Sequence, residues 1–474
     1  MYITFSQIIR QLQKGFRHDS GIADPASDGY VLRTAAARDR LLFDSPHPLG
    51  ILQLLFNTAD LIVVGRFASY QALAAVGATA SLTHLLVNFC LGISVGANVA
   101  VARRIGAGRH KEISLAVHTS VAFSLLCGVF FGGLGVGIAR MLLEIMQTPP
   151  DILDMSVTYM RIYFSGLPVV MLYNFGSAVM QAMGDTKRPF YFLVVSGIVN
   201  VLLNLFFVLG CHWDVGGVAA ATVISQGIAA LLILRVLMKT PGACRLKLRK
   251  LRMHRQTLMD ILHIGFPAGI QRACFPLANL WVQASLNTFG SATVAGNTAA
   301  IAWESIGFLL SSSFGQTLVS FVSQNCGGRQ YARIRTAIRH CALLSFFSTL
   351  AFAAALIAGA KPALALFNTD PDVIAWGVAR YRILLPGLCV CGLQECFVSA
   401  LRGLGYSVGP TLVMIFCICV PRVVWISTAF RWNPTYPVLI MTFPLSWAAA
   451  AVFLGIYLRF GLRKIPRRDL PRPK

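Results

Sequence analysis

The residues of this chain that could do chemistry are few, and they sit where polar groups are expensive. Gln53, Asn57 and Asp60 follow one another at i, i+4 and i+7 in an otherwise apolar run, so they share one face of a helix. Asn200 and Asn204 repeat the i, i+4 spacing, as do Thr222 and Gln226. A carboxylate joined by amide and hydroxyl oxygens from three helices would form a site for H+ or Na+. Asp60 would be its titrating member, because a desolvated carboxylate demands a proton or a cation. The same residues also read as hydrogen-bonding glue between helices. A second set is spread through the later apolar runs: Tyr173 and Asn174, Gln271 and Arg272 between Pro267 and Pro276, Trp303 and Glu304, and Glu395. With Gln53 these are the candidates for lining a substrate cavity. Arg272 paired with Glu304 or Glu395 as a structural ion pair is the alternative.

Enzymatic chemistry lacks its parts. The chain holds no HExxH, no GxSxG, no Walker A loop and no Cys/His spacing suited to a metal. His84 and His118 stand isolated in apolar surroundings, where a histidine is more often a hydrogen-bonded structural residue. The twelve cysteines fall mostly inside apolar runs, and the close pairs Cys389/Cys391 and Cys417/Cys419 point to different sides of a helix. The run Gly132-Gly133-Leu134-Gly135-Val136-Gly137 follows no strand and lacks a third glycine at dinucleotide-loop spacing. Gly133/Gly137, like Gly92/Gly96, read instead as small-xxx-small packing pairs. The expectation is no catalytic residue, no cofactor and no metal beyond Na+ at Asp60. Without a nucleotide loop, energy must come from an ion gradient.

The elements that position these residues follow from composition. Of 474 residues 56% are hydrophobic and 12% charged, about half the usual charged fraction, yet the net charge is +23. Residues 73–102, 114–143, 156–183, 190–211, 216–238, 292–323, 341–360, 383–401 and 436–458 are each close to the ~20 apolar residues that span a bilayer. Runs 41–65, 257–290 and 407–430 qualify if a charge or proline is tolerated. The expected fold is all-α, an integral membrane protein of twelve transmembrane helices; a barrel would need alternating strands, which these runs are not.

Positive charge clusters after even-numbered spans: Arg103, Arg104, Arg109 and Lys111; Lys187 and Arg188; the run from Lys239 to Arg255; Arg329, Arg333 and Arg335; Arg402; and the tail from Arg459 to Lys474. Odd-numbered loops carry Asp151, Asp154, Asp214, Asp370 and Asp372, with Arg66, Lys361 and Arg431 as exceptions. The positive-inside rule then puts both termini in the cytoplasm, in a multi-pass protein of the cell (inner) membrane. A collar of charge around lipid-embedded helices, without aromatic interleaving, is no nucleic-acid site.

The chain is also duplicated. Laid over itself so that 151–189 falls on 372–410, it shows ten identities, among them Asp151/Asp372, Arg161/Arg382, Gly166/Gly387, Gly184/Gly405 and Pro189/Pro410. With a single position of slippage Gly108-Arg109 falls on Gly328-Arg329. The expected organisation is a segment 1–40, an N-lobe 41–238 of six helices, a basic cytoplasmic linker 239–256, a C-lobe 257–462 of six helices and a basic tail 463–474. Six is even, so the two bundles relate by a pseudo-two-fold along the membrane normal. A substrate site then falls between them, with alternating access by rocking one bundle against the other.

Asn57-Thr58-Ala59-Asp60-Leu61-Ile62-Val63-Val64-Gly65-Arg66, followed by Ala72-Leu73-Ala74-Ala75-Val76-Gly77, resembles the end of the first span and the start of the second in multidrug and toxic compound extrusion (MATE) transporters. Gln181-Ala182-Met183-Gly184-Asp185-Thr186-Lys187-Arg188-Pro189 and Ala400-Leu401-Arg402-Gly403-Leu404-Gly405-Tyr406 resemble the exits of the fourth and tenth. The resemblance covers about 41–462, is nearest the DinF-like prokaryotic branch, and implies a 6+6 bundle, monomeric in the lipid bilayer. It also implies antiport of small molecules against H+ or Na+: drugs, toxic metabolites or organic cations, of cationic and amphipathic character. It puts the coupling ion at Asp60, Asn57, Asn200, Asn204 and Thr222. Some members carry Asp where this chain has Asn204, and the tenth-span acid of another branch falls on Cys391, with Glu395 one turn later.

Two other functions compete. A flippase for lipid-linked saccharides, from the same superfamily, would need several basic residues for a pyrophosphate, and Arg272 is the one obvious mid-span candidate. An integral membrane enzyme would need a convergent acid, His or Cys cluster, which is not visible. Asp44-Ser45-Pro46-His47-Pro48 interrupts the first span, and 1–40 resembles nothing in the family. The stretch 1–48 therefore reads as a shifted frame or misassigned start, although Phe5, Ile8, Ile9, Leu12 and Phe16 could form a short amphipathic helix.

Overall fold

The computed structural model describes residues 70–466 apart from 147 and 212. The chain divides into units Met1–Ser45 and Pro46–Lys474, and everything described belongs to the second. The N-terminal segment and Gln53, Asn57 and Asp60 of the first expected span lie outside the described residues.

The described chain is a membrane-spanning helical bundle. In order, it runs α1 (Tyr70–Gly106), α2 (His110–Ile145), α3 (Pro150–Ser165), α4 (Leu167–Ala182), α5 (Lys187–Leu205) and α6 (Asp214–Lys239). The second half comprises α7 (Arg255–Asn287), α8 (Ser291–Gly327), α9 (Tyr331–Ala358), α10 (Ala360–Ala365), α11 (Pro371–Leu404), α12 (Val408–Met414), α13 (Val420–Ser427), α14 (Ala429–Trp432) and α15 (Tyr436–Arg463). Among the described residues nine helical segments are long and apolar enough to cross a bilayer, and the pair α3–α4, bent by 45°, makes a tenth. The bend falls at Gly166, just before Pro168, whose ring and missing N–H cannot continue a straight helix. α7 is also long, but carries Pro267, Pro276 and the polar stretch around Arg272, and falls outside that set.

The internal repeat shows in the backbone. Helices α1 and α8 begin and end at the offset that carries Asp151 onto Asp372, and α2/α9, α3/α11 and α5/α12 begin at the same offset. The left-handed turns obey it too: Gly184 and Gly405 have φ of 90° and 98°, and Gly108 and Arg329 have φ of 71° and 57°. The last pair corrects the slipped alignment read from the sequence. The register holds without slippage, and Arg329 occupies the left-handed position that Gly108 fills at no steric cost.

The halves meet along α1. Gly92 and Gly96 of α1 cross Gly265 and Gly269 of α7 so closely that a Cβ on Gly92 or Gly96 would fall on the backbone of α7. This is the packing that small-xxx-small spacing permits on both helices at once. Asn98 of α1 and Ser320 of α8 exchange hydrogen bonds of 3.0 and 3.1 Å across the same boundary. Gly133 and Gly137 do not pack this way: nothing lies within 4 Å of a Cβ built on either, and Gly128, Gly132 and Gly135 make the close approaches of α2 instead.

The linker after α6 is a docked element. Leu246 is buried among Val117, Val179, Ala230 and Leu237. His118 accepts from the Lys247 amide at Nε2 (3.0 Å) while its Nδ1 lies 2.7 Å from the Ser114 carbonyl oxygen. Thr119 accepts from the His254 amide at 3.1 Å. His118 is thus a hydrogen-bonded structural residue.

Candidate functional site

Of the N-lobe candidates, the structure brings Asn200, Asn204 and Thr222 together. Asn200 donates to Thr222 Oγ1 and Asn204 donates to Asn200 Oδ1, each at 3.4 Å. Both asparagines are buried. They project from the last two turns of α5, just before it widens into a π turn at Phe206–Gly210, a local loosening often found beside functional residues. Thr222 sits early in α6 and also donates to Val218 O at 3.0 Å. Tyr173 and Asn174 do not join this cluster. The Tyr173 hydroxyl donates to Pro189 O at 3.1 Å, and Asn174 donates to Val170 O of its own helix at 2.9 Å.

The second half is organised around arginines, three of which, Arg380, Arg402 and Arg422, are not among the candidates that the sequence offers. Arg380 of α11 donates from Nε and Nη2 to the two carboxylate oxygens of Glu304 at 2.8 Å each, and from Nη1 to Asn297 Oδ1 at 2.7 Å. Glu304 is 1% exposed. A bidentate pair with a third hydrogen bond is the geometry that lets a low-dielectric interior hold two charges. The alternative ion pair of Arg272 with Glu304 is therefore corrected: Glu304 belongs to Arg380. No ion pair of Arg272 or Glu395 forms among the described residues, and both are half-buried. Trp303, next to Glu304, donates to Ala363 O at 3.1 Å, which ties α8 to α10.

Arg402 and Arg422 have no carboxylate partner among the described residues, and each is 4% exposed. Arg402, which the sequence reading placed in the cytoplasmic collar, lies inside α11 and donates to Gln271 Oε1 of α7 at 2.7 Å. Arg422 of α13 donates to Asn279 Oδ1 of α7 at 2.6 Å and lies over the Phe443 ring, 4.5 Å from its centroid. Nε of both arginines is buried without a hydrogen-bond partner. Arg422 follows a second π turn, Ile415–Cys419, so in each half a π turn adjoins the buried polar side chains of the helix after the fourth span. Arg272 is therefore not the one mid-span arginine. The repeated pair Arg161 and Arg382 is exposed in both halves.

Periodicity held the missed signal. Arg380, Leu384, Leu388, Cys391, Glu395 and Arg402 follow one helical stripe, and the apolar members of that stripe face the core, whereas Arg382 falls off it. Together the two halves offer a neutral hydrogen-bonding station on α5 and α6 and a cationic one on α7, α11 and α13. Neither contains a nucleophile set beside a base.

The family described as MatE matches this sequence twice, over residues 50–206 and again over 267–425. A probable multidrug resistance protein of Bacillus subtilis, YoeA, is 27% identical over 376 residues, covering 78% of this chain and 81% of that protein. A protein of Shewanella oneidensis named FAD transporter is 26% identical, covering 78% and 83%. Among solved structures, a multidrug resistance MATE family transporter of the MOP superfamily in an outward-facing conformation superposes with a TM-score of 0.82 at 22% identity, over 88% of this chain and 94% of that one.

Proposed function

The chain belongs to the MatE family, and from that premise we propose that it is a secondary active exporter of small organic molecules, driven by inward flow of H+ or Na+. It is a multi-pass membrane transporter and no enzyme. The observation that carries the coupling proposal is the hydrogen-bonded set Asn200, Asn204 and Thr222, with both asparagines buried in an apolar helix that could otherwise have been packed with leucine. Such a set supplies neutral oxygens for a cation, and Asp60 would complete it with charge. Alternating access by rocking the halves across the α1 contact, action as a monomer without a cofactor, and cytoplasmic termini in the cell membrane complete the reading. Its relatives are named for multidrug resistance and, in one case, for FAD.

Efflux from cells expressing the protein, with H+ and Na+ gradients collapsed separately, tests the coupling. Collapse of one gradient should stop efflux and collapse of the other should leave it. Asp60→Asn should reduce efflux at least tenfold; efflux retained at the wild-type rate would remove Asp60 from the mechanism.

A further inference from the structure

At the basic end of the bundle a cleft of about 490 Å³ opens between α9, α11 and α15, and Arg335, Arg459 and Arg463 all line it. Phe397, Gly455 and Leu458 make up its apolar part. Gly455 lies roughly two turns before Arg463, so the cleft runs about 12 Å along α15, from its charged end into the apolar span. A Cβ on Gly455 would stand 3.5 Å from the Phe397 ring, so glycine leaves room there that a larger residue would occupy.

The three arginines do different work. Arg335, half-buried near the start of α9, donates to the carbonyl oxygens of Leu462 at 2.7 Å, Pro466 at 2.9 Å and Ile465 at 3.2 Å. It satisfies carbonyls that the end of a helix leaves without partners, and so fixes the end of α15 beside α9. Arg459 and Arg463, one turn apart, are exposed, and among the described residues neither has a hydrogen bond or a carboxylate partner. Arg463 lies over the Phe460 ring, 5.8 Å from its centroid. No acid is placed to neutralise them. α9 and α15 contain no Asp or Glu. Glu395, two residues before Phe397 on α11, is directed at Gly315 of α8, where a Cβ would fall 3.1 Å from its Oε1. The chain after Pro466 adds Arg467, Arg468, Arg472 and Lys474 against Asp469.

A charge collar needs arginines at helix ends, and it does not need them to converge on a cleft whose deeper wall is apolar. Phe453, Ile456 and Phe460 on the outer face of α15 are exposed, so this helix meets lipid directly. The matching ligand has an anionic head level with the arginines and a hydrocarbon tail below it, and basic pockets between membrane helices take such headgroups.

We propose that this cleft binds one anionic phospholipid, its phosphate held by Arg459 and Arg463 and one acyl chain laid along Phe397, Gly455 and Leu458. Arg335 is a positioning residue that holds the end of α15 in place. With the basic ends in the cytoplasm, the lipid belongs to the inner leaflet, whose surface is negatively charged. The site is independent of the cargo and of the coupling ion.

Photolabelling of the full-length protein in detergent, with a phosphatidylglycerol that carries a diazirine on its acyl chain, tests this; labelled peptides are read by mass spectrometry. Label should fall in α11 around Phe397 and in α15 around Leu458. Excess unlabelled phosphatidylglycerol should remove most of it, and the same excess of phosphatidylcholine or inorganic phosphate should not. Arg459→Gln combined with Arg463→Gln should lower labelling of both peptides at least fivefold. Gly455→Leu should do the same with every charge retained, and Lys361→Gln, beyond the far end of α9, should change nothing. The double glutamine variant should keep its melting temperature in lipid-free detergent, both side chains being exposed, so misfolding is distinguishable from lost binding. Equal competition by phosphatidylcholine would reduce the cleft to ordinary lipid-facing surface, and equal competition by inorganic phosphate would make it a site for a free anion. Labelling absent from the two peptides, or indifferent to both arginines, overturns the site.

Discussion

Glu304 and Arg380 are held at 2.8 Å on both forks of the guanidinium, deep between α8 and α11. Removing either leaves the other charge stranded. Glu304→Gln should cost about 3–5 kcal/mol, seen as a fall in melting temperature of the purified protein. Removing both charges, with Glu304→Leu and Arg380→Met, should recover most of that loss; a double variant as unstable as the single would mean that the contact is needed for its hydrogen bonds and not for charge balance. At this scale the sequence was half legible. The contact of Asn204 with Asn200 was legible because i, i+4 polar spacing in an apolar run means a shared face, whereas the contact of Asn200 with Thr222 depends on how two helices pack. Arg380 was hidden because the duplication drew the eye to nearby Arg382, which matches Arg161 and is exposed. Arg402 was hidden because a charge near a span's end looks the same whether its guanidinium turns outward to the collar or inward to Gln271.

The linker between the halves is exposed at its basic residues, as its charge run implies, and docked at Leu246. Its charge run reads as a solvated collar, yet it is fastened by His118 and Thr119 and inserts Leu246 and, partly, Cys244 into the first half's core. Burial pushes the Cys244 thiol up to about 11. A raised thiol pKa means that the folded state favours the protonated form. The docked linker therefore keeps its full stability below the ordinary thiol value of 9.0 and loses part of it as pH rises towards 11. Maleimide labelling of Cys244, followed by peptide mass spectrometry, should be slow at neutral pH. His118→Ala, which takes away the acceptor of the Lys247 amide, should speed it at least tenfold and raise hydrogen exchange at Lys247. Unchanged rates would show that the apolar contacts alone hold the linker. The helices were easier to read, since a run of ~20 apolar residues leaves few alternatives. The Gly133/Gly137 pair misled because spacing alone does not say which face of a helix meets a neighbour.

Across the whole molecule, the two halves touch through the basic ends of α1 and α8 in a reciprocal way. A Cβ on Gly106 would fall on the carbonyl of Gln324, and a Cβ on Gly327 would fall on the carbonyl of Arg103. Gly106 and Gly327 are repeat partners, at the same offset as Asp151 and Asp372, and so are Arg103 and Gln324. Gly106→Ala and Gly327→Ala should therefore destabilise by similar amounts, roughly 1–3 kcal/mol each. Gly133→Ala, facing open space, should not, and thermal melts of the three variants decide it. The repeat was legible in the sequence, but its register at this end of α1 was read one position out, because Arg329 stands where Gly108 does and hides the match; the contact was not legible, because it depends on how two distant stretches approach. A contact in which each half presents to the other what it receives is the kind that two copies of one chain make about a two-fold axis. The reciprocity follows from the internal repeat, in which residues at the same offset play the same part on each side of the contact. The symmetry stops at the interior polar groups: α5 and α6 carry the amides and hydroxyl of Asn200, Asn204 and Thr222, whereas α11 and α13 carry Arg380, Arg402 and Arg422, so the two halves share a scaffold and not a chemistry.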